Sequence, residues 1–432
     1  MRAFFALSFL ILISSPAHAV LKLDITQGNI DPLPIAVVEL NGTDGEAAQV
    51  GRDISSVIAA DLERSGIFRP IDKGAFIEQI NASTSVPRFP DWRQINAQAL
   101  VHGTVTSLGG GKLKVSFRLW DVYAEAQMEG KQFDTFSRNW RRVAHLIADL
   151  IFKRITGEEG FFDTRIVYVS ETGPKNKRIK RLAIMDQDGE NHKFLTNGQF
   201  LVLTPRFSPN TQEILYMSYA GKQPRVYLRD LQTGREESIG TFKGMSFAPR
   251  FDNTGNRMVM SIADGGNTEI YQMDLRSRNL QRLTNDPGID TSPSYSPDGR
   301  SIVFNSDRGG SQQLYVMSSS GGGVKRISFG DGRYGDPVWS PRGDLIAFTK
   351  MAGGQFSIGV MRSDGSGERE ITQSWLDESP SWAPNGRYIV FTRQRSAYDK
   401  SRLMMIDVTG RNLREILTPT EATDPAWSPL LP

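Results

Sequence analysis

Cysteine is absent altogether. No disulfide can staple the chain and no thiolate can act as nucleophile or soft metal ligand. Histidine is scarce, at 4 residues in 432. Of these, His102, His145 and His192 lie in the expected mature chain, in separate predicted elements without ligand-like spacing. Each reads as a packing or surface residue rather than a metal site, and no cofactor is expected. Charge of one sign is also missing: 51 basic residues face 48 acidic ones, so no basic face for nucleic acid is expected. No G-x-S-x-G elbow occurs, which weighs against a serine hydrolase. Gly109-Gly-Gly-Lys and Gly321-Gly-Gly lack Walker spacing and open no helix, so they read as turn glycines. Long apolar runs are lacking too. The one candidate, Ala3 to Ile13, is too short to span a bilayer.

That short run belongs to a targeting signal. Arg2 supplies the charged start, and Ala17-His-Ala19 is a small-x-small cleavage signal, so residues 1–19 are expected to be removed as a signal peptide. An exported, soluble chain starting at Val20 follows. Its lack of thiols is compatible with an oxidising periplasm.

What is present in abundance is one short sentence written six times. Thr204-Pro-Arg-Phe-Ser-Pro, Ala248-Pro-Arg-Phe-Asp-Asn, Ser292-Pro-Ser-Tyr-Ser-Pro, Asp336-Pro-Val-Trp-Ser-Pro, Ser379-Pro-Ser-Trp-Ala-Pro and Asp424-Pro-Ala-Trp-Ser-Pro repeat at steps of 44, 44, 44, 43 and 45 residues. A period near 44 is that of a four-stranded propeller blade. After each Pro-Asp-Gly-like turn comes a strand such as Ile302-Val-Phe-Asn-Ser, then a hairpin and two further strands. At the front, Ile166 to Ser170, Leu182 to Met185 and His192 to Thr196 supply three strands of a blade that lacks its inner one. At the far end, Asp424 to Pro429 is an inner strand without a blade. Joining the two predicts a six-bladed propeller closed by the C-terminal strand.

Phe207, Phe251, Tyr295, Trp339, Trp382 and Trp427 occupy one equivalent position and are expected to pack between blades. Function is expected where the repeats differ, in the loops just before each leading proline, which propeller geometry gathers around one mouth of the channel. There, Phe200, Leu201, Met245, Phe247, Tyr334, Trp375 and Leu376 put large apolar groups into turns. Aromatic and apolar anchors in such places mark a protein-binding patch. Asp290, Asp336, Asp377, Glu378, Glu421 and Asp424 add acid around it.

Residues 20–160 differ in kind. Alternation marks Leu21 to Thr26, Pro34 to Leu40, Ala99 to Ser107, Leu113 to Val122 and Gln127 to Phe136 as strands. Helical periodicity marks Glu46 to Arg64 and Arg138 to Thr156. The fold class expected is therefore multidomain: a small N-terminal α/β domain over 20–160, with an extended segment at 20–31, followed by the all-β propeller over 161–432.

The opening run Asp24-Ile-Thr-Gln-Gly-Asn-Ile-Asp-Pro-Leu-Pro-Ile-Ala-Val, the α/β region and the six Ser-Pro-Asp-Gly-type repeats ending in Pro-Ala-Trp-Ser-Pro together resemble the TolB family. These are periplasmic propellers of the Tol-Pal system of Gram-negative bacteria. The resemblance covers essentially the whole chain. It implies a non-enzymatic, monomeric scaffold without a membrane span, serving outer-membrane integrity and cell division. It also implies two partners: the lipoprotein Pal at the propeller mouth and the C-terminal domain of TolA at the first mature residues, with bacteriocins as a further class. Carried over to this sequence, the Pal contacts fall on Met245, Ser246, Phe247, Ala248, Asp290, Thr291 and Ser292, with Phe200, Leu201, Arg333, Tyr334, Trp375, Leu376 and Glu421 contributing from neighbouring loops. The TolA segment falls on Val20, Leu21, Lys22, Leu23, Asp24, Ile25, Thr26, Gln27, Gly28, Asn29 and Ile30, whose alternation suits strand addition to a partner sheet. The second repeat departs from the pattern with Phe251-Asp-Asn-Thr-Gly, which leaves its turn open. Two alternatives remain: a periplasmic propeller hydrolase or lyase using the acids at the mouth, and an exported adaptor with unrelated partners.

Overall fold

The computed structural model describes residues 21, 23, 31–221, 223–240, 242 and 244–431. Their contacts divide into two units, one ending at Gly157 and one beginning at Glu158.

In the first unit one sheet runs in the order Phe68–Pro70, Leu33–Val37, Ala99–Ser107, Lys112–Asp121, Ala126–Phe136, with Asn41–Gly42 also paired to Ala99–Ser107. Leu33–Val37 pairs parallel on both sides, so a crossover must follow it. Helix Gly45–Arg64 makes that crossover. Asp44 caps it by accepting the Ala47 N–H at 2.8 Å, and Ala47, Val50, Ile54, Val57, Ile58 and Leu62 are buried, as helical periodicity requires. The last helix starts at Trp140 rather than Arg138 because Ser137–Asn139 form a 3-10 turn. It ends at Thr156, where Gly157 takes φ 78° as a left-handed cap. Strand Phe68–Pro70 and helix Phe89–Gln94 are too short to show a period and went unforeseen. Two of the histidines are in this unit, both buried. Trp120 Nε1 donates to His102 Nε2 at 2.9 Å. Burial, helped by Arg118, pushes that imidazole down to about 4, so it stays neutral at pH 7. His145 Nδ1 lies 2.6 Å from the Asp61 carboxylate.

The second unit is six antiparallel sheets of four strands each. Inner strands are Val202–Phe207, Met245–Phe251, Asp290–Tyr295, Arg333–Trp339, Leu376–Trp382 and Glu421–Trp427; their blades are numbered one to five in chain order, with the last the closing blade. Glu421–Trp427 pairs antiparallel with Arg165–Thr172, so the chain's final strand completes the sheet its early residues begin. Trp427 fixes the seam: its Nε1 donates to Thr164 Oγ1 at 2.8 Å and its N–H to Ser381 Oγ at 3.0 Å.

The equivalent aromatics pack between blades. Phe251 lies against Leu215 and Val226 of blade one, and Tyr295 against Val259 and Ile270 of blade two. The Trp382 indole donates to Val338 O at 3.0 Å. All six also border a cavity of ≈ 400 Å³ at the Ser-Pro turn end of the channel. The divergent turn of blade two closes by a substitute: Asp252 Oδ1 accepts the Asn256 and Arg257 N–H groups, each at 3.1 Å. Ser296 Oγ does the same in blade three, accepting the Ser301 N–H at 2.9 Å.

Candidate functional site

Every inner strand is interrupted at its leading proline. Pairing with the second strand slips between Leu203 and Arg206, Phe247 and Arg250, Thr291 and Ser294, Gly335 and Val338, Glu378 and Ser381, and Thr423 and Ala426. Proline has no N–H to give to a ladder, so a bulge is where it can sit in a sheet. Each residue just before the proline pays with backbone strain. Thr204, Ala248, Ser292, Asp336, Ser379 and Asp424 have φ of 48°, 49°, 53°, 47°, 56° and 50°, a region costing a side-chain-bearing residue about 1–2 kcal/mol. Strain repeated at one level of all six blades marks a place where side-chain direction is constrained. These same six residues line one cavity of ≈ 380 Å³ at the mouth end of the channel.

The ring is stitched between neighbouring blades. Ser292 Oγ donates to Asp336 Oδ1 at 3.2 Å and Ser379 Oγ to Asp424 Oδ1 at 3.1 Å, while the Thr204 N–H reaches Asp424 Oδ2 at 3.4 Å. Charge in the mouth is crowded. Arg206, Arg250, Asp336, Glu378 and Asp424 all line it. Burial pushes the Asp336 carboxyl up. It raises Glu378 to about 7, with Asp424 and Asp336 adding to the effect. Burial also pushes the Arg206 guanidinium down, against the pull of Asp424 and Asp336.

Around this mouth the apolar residues expected from the loops separate into two groups. Phe200, Leu201, Met245 and Trp375 are exposed, and Met245, Phe247 and Ala248 line the cavity itself. Arg333 is exposed, while Thr291, Ser292 and Leu376 are half-buried. Tyr334, expected on the rim, is instead buried in the core between blades three and four with Val303 and Phe348. Its hydroxyl donates to Glu368 Oε1 at 2.7 Å, and Lys350 Nζ reaches the same oxygen at 2.9 Å. Tyr334 already belongs to the paired strand, opposite Lys350 and ahead of the bulge, and the sequence does not show where that strand begins. Ser246 and Asp290 are also fully buried. Asp290 receives Arg308 Nη2 at 2.7 Å, and Asp377 receives both Arg393 Nε and Nη2, at 2.7 and 2.5 Å. Glu421 accepts Arg178 Nη2 at 2.7 Å. Asp290, Asp377 and Glu421 therefore tie these strands to their neighbours by ion pairs.

Sequence reasoning missed Tyr219 and Met217, which line the mouth cavity, exposed Ile289, and both arginines. Arg206 and Arg250 follow the leading prolines where the other blades carry Ser294, Val338, Ser381 and Ala426. That contrast was the available signal. Of the N-terminal segment, Val20, Lys22 and Asp24 to Ile30 lie outside the described residues. Leu21 and Leu23 do not: the Leu21 N–H donates to Asp121 Oδ2 and the Leu23 N–H to Ile155 O, both at 2.9 Å.

Comparison with known proteins places this architecture. Residues 21–128 match the TolB amino-terminal domain and residues 152–431 the TolB beta propeller domain. The crystal structure of TolB from Acinetobacter baumannii is 31% identical with a TM-score of 0.83, the match covering 95% of this chain and 100% of that one. Kuenenia stuttgartiensis hydrazine synthase, at 11% identity and TM-score 0.51 over 62% of this chain and 47% of that one, shares the fold alone. So does a chain of a nidogen/laminin complex, at 8% identity and TM-score 0.50 over 61% and 98%. On the match of both domains and of nearly its whole length, the chain belongs to the TolB family.

Proposed function

We propose that the protein is a non-enzymatic scaffold that joins two partners, Pal at the propeller mouth and the C-terminal domain of TolA at the N-terminal segment. Family membership supports the first step, a place for the chain in the periplasmic Tol-Pal system. The observation that carries the second is the mouth itself: exposed Phe200, Leu201, Met245 and Trp375 around a strained polar ring. Apolar anchors surrounding a pocket are what a protein-binding surface provides. Residues 1–19 act as the signal peptide, and residues 20–31 as the TolA-binding strand. Leu21 and Leu23 hydrogen-bond to this protein's own first unit, so a partner must compete with that docking. If docking also biases the mouth, the two affinities are linked reciprocally. Outer-membrane integrity and envelope invagination at division are the processes such a link would serve.

Calorimetric titration of residues 20–432 with the soluble domain of Pal tests the mouth. Saturable one-to-one binding is expected, weakened tenfold or more by Met245→Asp or Thr291→Asp with unchanged Tm. Absence of binding by the folded protein refutes the reading. Deletion of residues 20–31 is expected to change Pal affinity; an unchanged affinity sinks the linkage while leaving the mouth assignment standing.

One observation keeps an enzymatic reading alive: Glu378, held protonated to about 7 beside Asp336 and Asp424, is the kind of carboxyl that hydrolases and lyases use as an acid. Turnover of glycan or uronate substrates that disappears in Glu378→Gln would establish it.

A further inference from the structure

Arg206 and Arg250 line two cavities at once, the mouth cavity and a smaller one of ≈ 150 Å³ deeper in the channel. They therefore form the waist between the two. The mouth side of this waist carries Asp336, Glu378 and Asp424. The inner side carries no carboxylate: besides the arginines it is lined by Ser294, Ser381, Ala426 and the aromatics Phe207, Phe251, Tyr295 and Trp427.

Two guanidiniums in one constriction repel each other, and the carboxylates that pull on them, Asp336 and Asp424, stand on the mouth side. Burial and the adjacent Arg206 charge both push Arg250 down from its ordinary value, yet a guanidinium does not give up its proton in a protein. Neither arginine has an ion-pair partner within 4.0 Å among the described residues. Arg206 Nη1 donates to Pro205 O at 2.6 Å, which leaves other N–H groups of the fork available. Two serines also line the inner cavity. Ser294 Oγ accepts the Trp339 N–H at 3.3 Å and Ser381 Oγ accepts the Trp427 N–H at 3.0 Å. Each thus keeps its own proton to donate, and both serines are more than nine-tenths buried.

We propose that this inner cavity is a binding site for a small inorganic anion, of chloride to phosphate size, held by the Arg206 and Arg250 guanidiniums and the Ser294 and Ser381 hydroxyls. On the inner side these donors face no carboxylate, and the space is too small for a partner's loop, which together define that ligand class. Its two cations come from blades one and two, because only their repeats put arginine after the leading proline. It lies beneath the partner-binding rim and does not depend on what binds there.

The test is thermal unfolding of the protein at constant ionic strength and pH 7.5, with sodium gluconate progressively replaced by sodium phosphate, sodium chloride or sodium acetate. Phosphate or chloride is expected to raise Tm saturably, by about 3 °C at roughly ten times the dissociation constant. Arg206→Ser with Arg250→Ser, which installs the residue of blades three and five, is expected to fold and lose that rise. Ser294→Ala with Ser381→Ala leaves net charge untouched and is expected to weaken the response at least threefold. A rise of equal size and midpoint in wild type and both double variants would show general salt stabilisation and overturn the proposal. So would no rise in wild type, or a response to acetate alone, which would assign the waist to carboxylate-bearing partners instead.

Discussion

Glu378 gives the sharpest quantitative handle on the mouth. Its carboxyl is raised from 4.5 to about 7, first by burial and then by Asp424 and Asp336. The folded protein therefore keeps a proton that the unfolded chain releases at lower pH. Below 4.5 both states are protonated and the carboxyl costs nothing; as pH rises from 4.5 to about 7 only the unfolded state ionises, so stability falls. Above about 7 both states are ionised and the loss is complete. Each pH unit in that window is worth about 1.36 kcal/mol, which sets a ceiling of roughly 3 kcal/mol. Relaxation and water in an open mouth reduce this to about 1–2 kcal/mol.

Glu378→Gln replaces the group by an isostere that stays neutral, so the variant should match wild type at pH 4.5 and exceed it at pH 8. With about 2–4 °C of Tm per kcal/mol for a unit of this size, the gap at pH 8 should be about 2–8 °C. Differential scanning calorimetry of both proteins at pH 4.5, 6 and 8 measures it. A constant offset between the two across the whole range would refute the reasoning, since it would mean that Glu378 ionises alike in folded and unfolded chains. A gap that opens only below pH 4.5 would refute it as well, by making the carboxylate a stabilised anion.

Other perturbations separate the scaffold's parts. Asp377→Ala leaves Arg393 buried without its two-bond partner and should cost about 3–5 kcal/mol in urea unfolding, whereas Arg333→Ala on the exposed rim should cost under about 0.5. Trp427→Ala removes the indole's hydrogen bond to Thr164 and its packing while keeping the backbone bond to Ser381, and should lower stability by about 3–5 kcal/mol, read as a shifted denaturant midpoint. Ala248→Gly relieves a residue at φ 49° and should stabilise by up to about 1 kcal/mol; a loss instead would mean that the methyl group's contacts in the mouth outweigh the strain.

Much of the architecture was written in the chain because repeats multiply a weak signal. A single Pro-x-aromatic strand says little, but six at near-constant spacing fix blade number, and the unmatched halves at Ile166 and Trp427 fix closure. The same redundancy hid the site. Thr204, Ala248, Ser292, Asp336, Ser379 and Asp424 have no one side-chain chemistry common to all, so nothing in sequence announced that all six adopt positive φ and converge on one ring. Likewise Tyr334 and Trp375 are both aromatic loop residues, yet one is buried against Phe348 and the other exposed. The difference is where each stands relative to the bulge: Tyr334 lies inside a paired strand opposite Lys350, and Trp375 lies just before its strand begins.

The arginines show the complementary case, in which a departure from the repeat carries meaning that the repeat itself obscures. A propeller needs small or β-branched residues after the leading proline so that six inner strands can approach the axis, and four blades comply with Ser294, Val338, Ser381 and Ala426. Blades one and two instead bring two long cations to the waist between the mouth and inner cavities, where burial pushes both guanidiniums down. Asp336, Glu378 and Asp424 line the mouth cavity and no carboxylate lines the inner one, so across the waist the charge runs from negative at the mouth to positive inward. A partner carrying basic or hydrogen-bond-donating groups would meet complementary charge at the rim and a repulsive floor one layer below. The waist thereby limits how deep a cationic side chain can reach. Replacing both arginines by serine should therefore deepen cation access, measurable as tighter binding of guanidinium- or ammonium-bearing peptides at the mouth, and unchanged affinity for them would show that the waist exerts no such control.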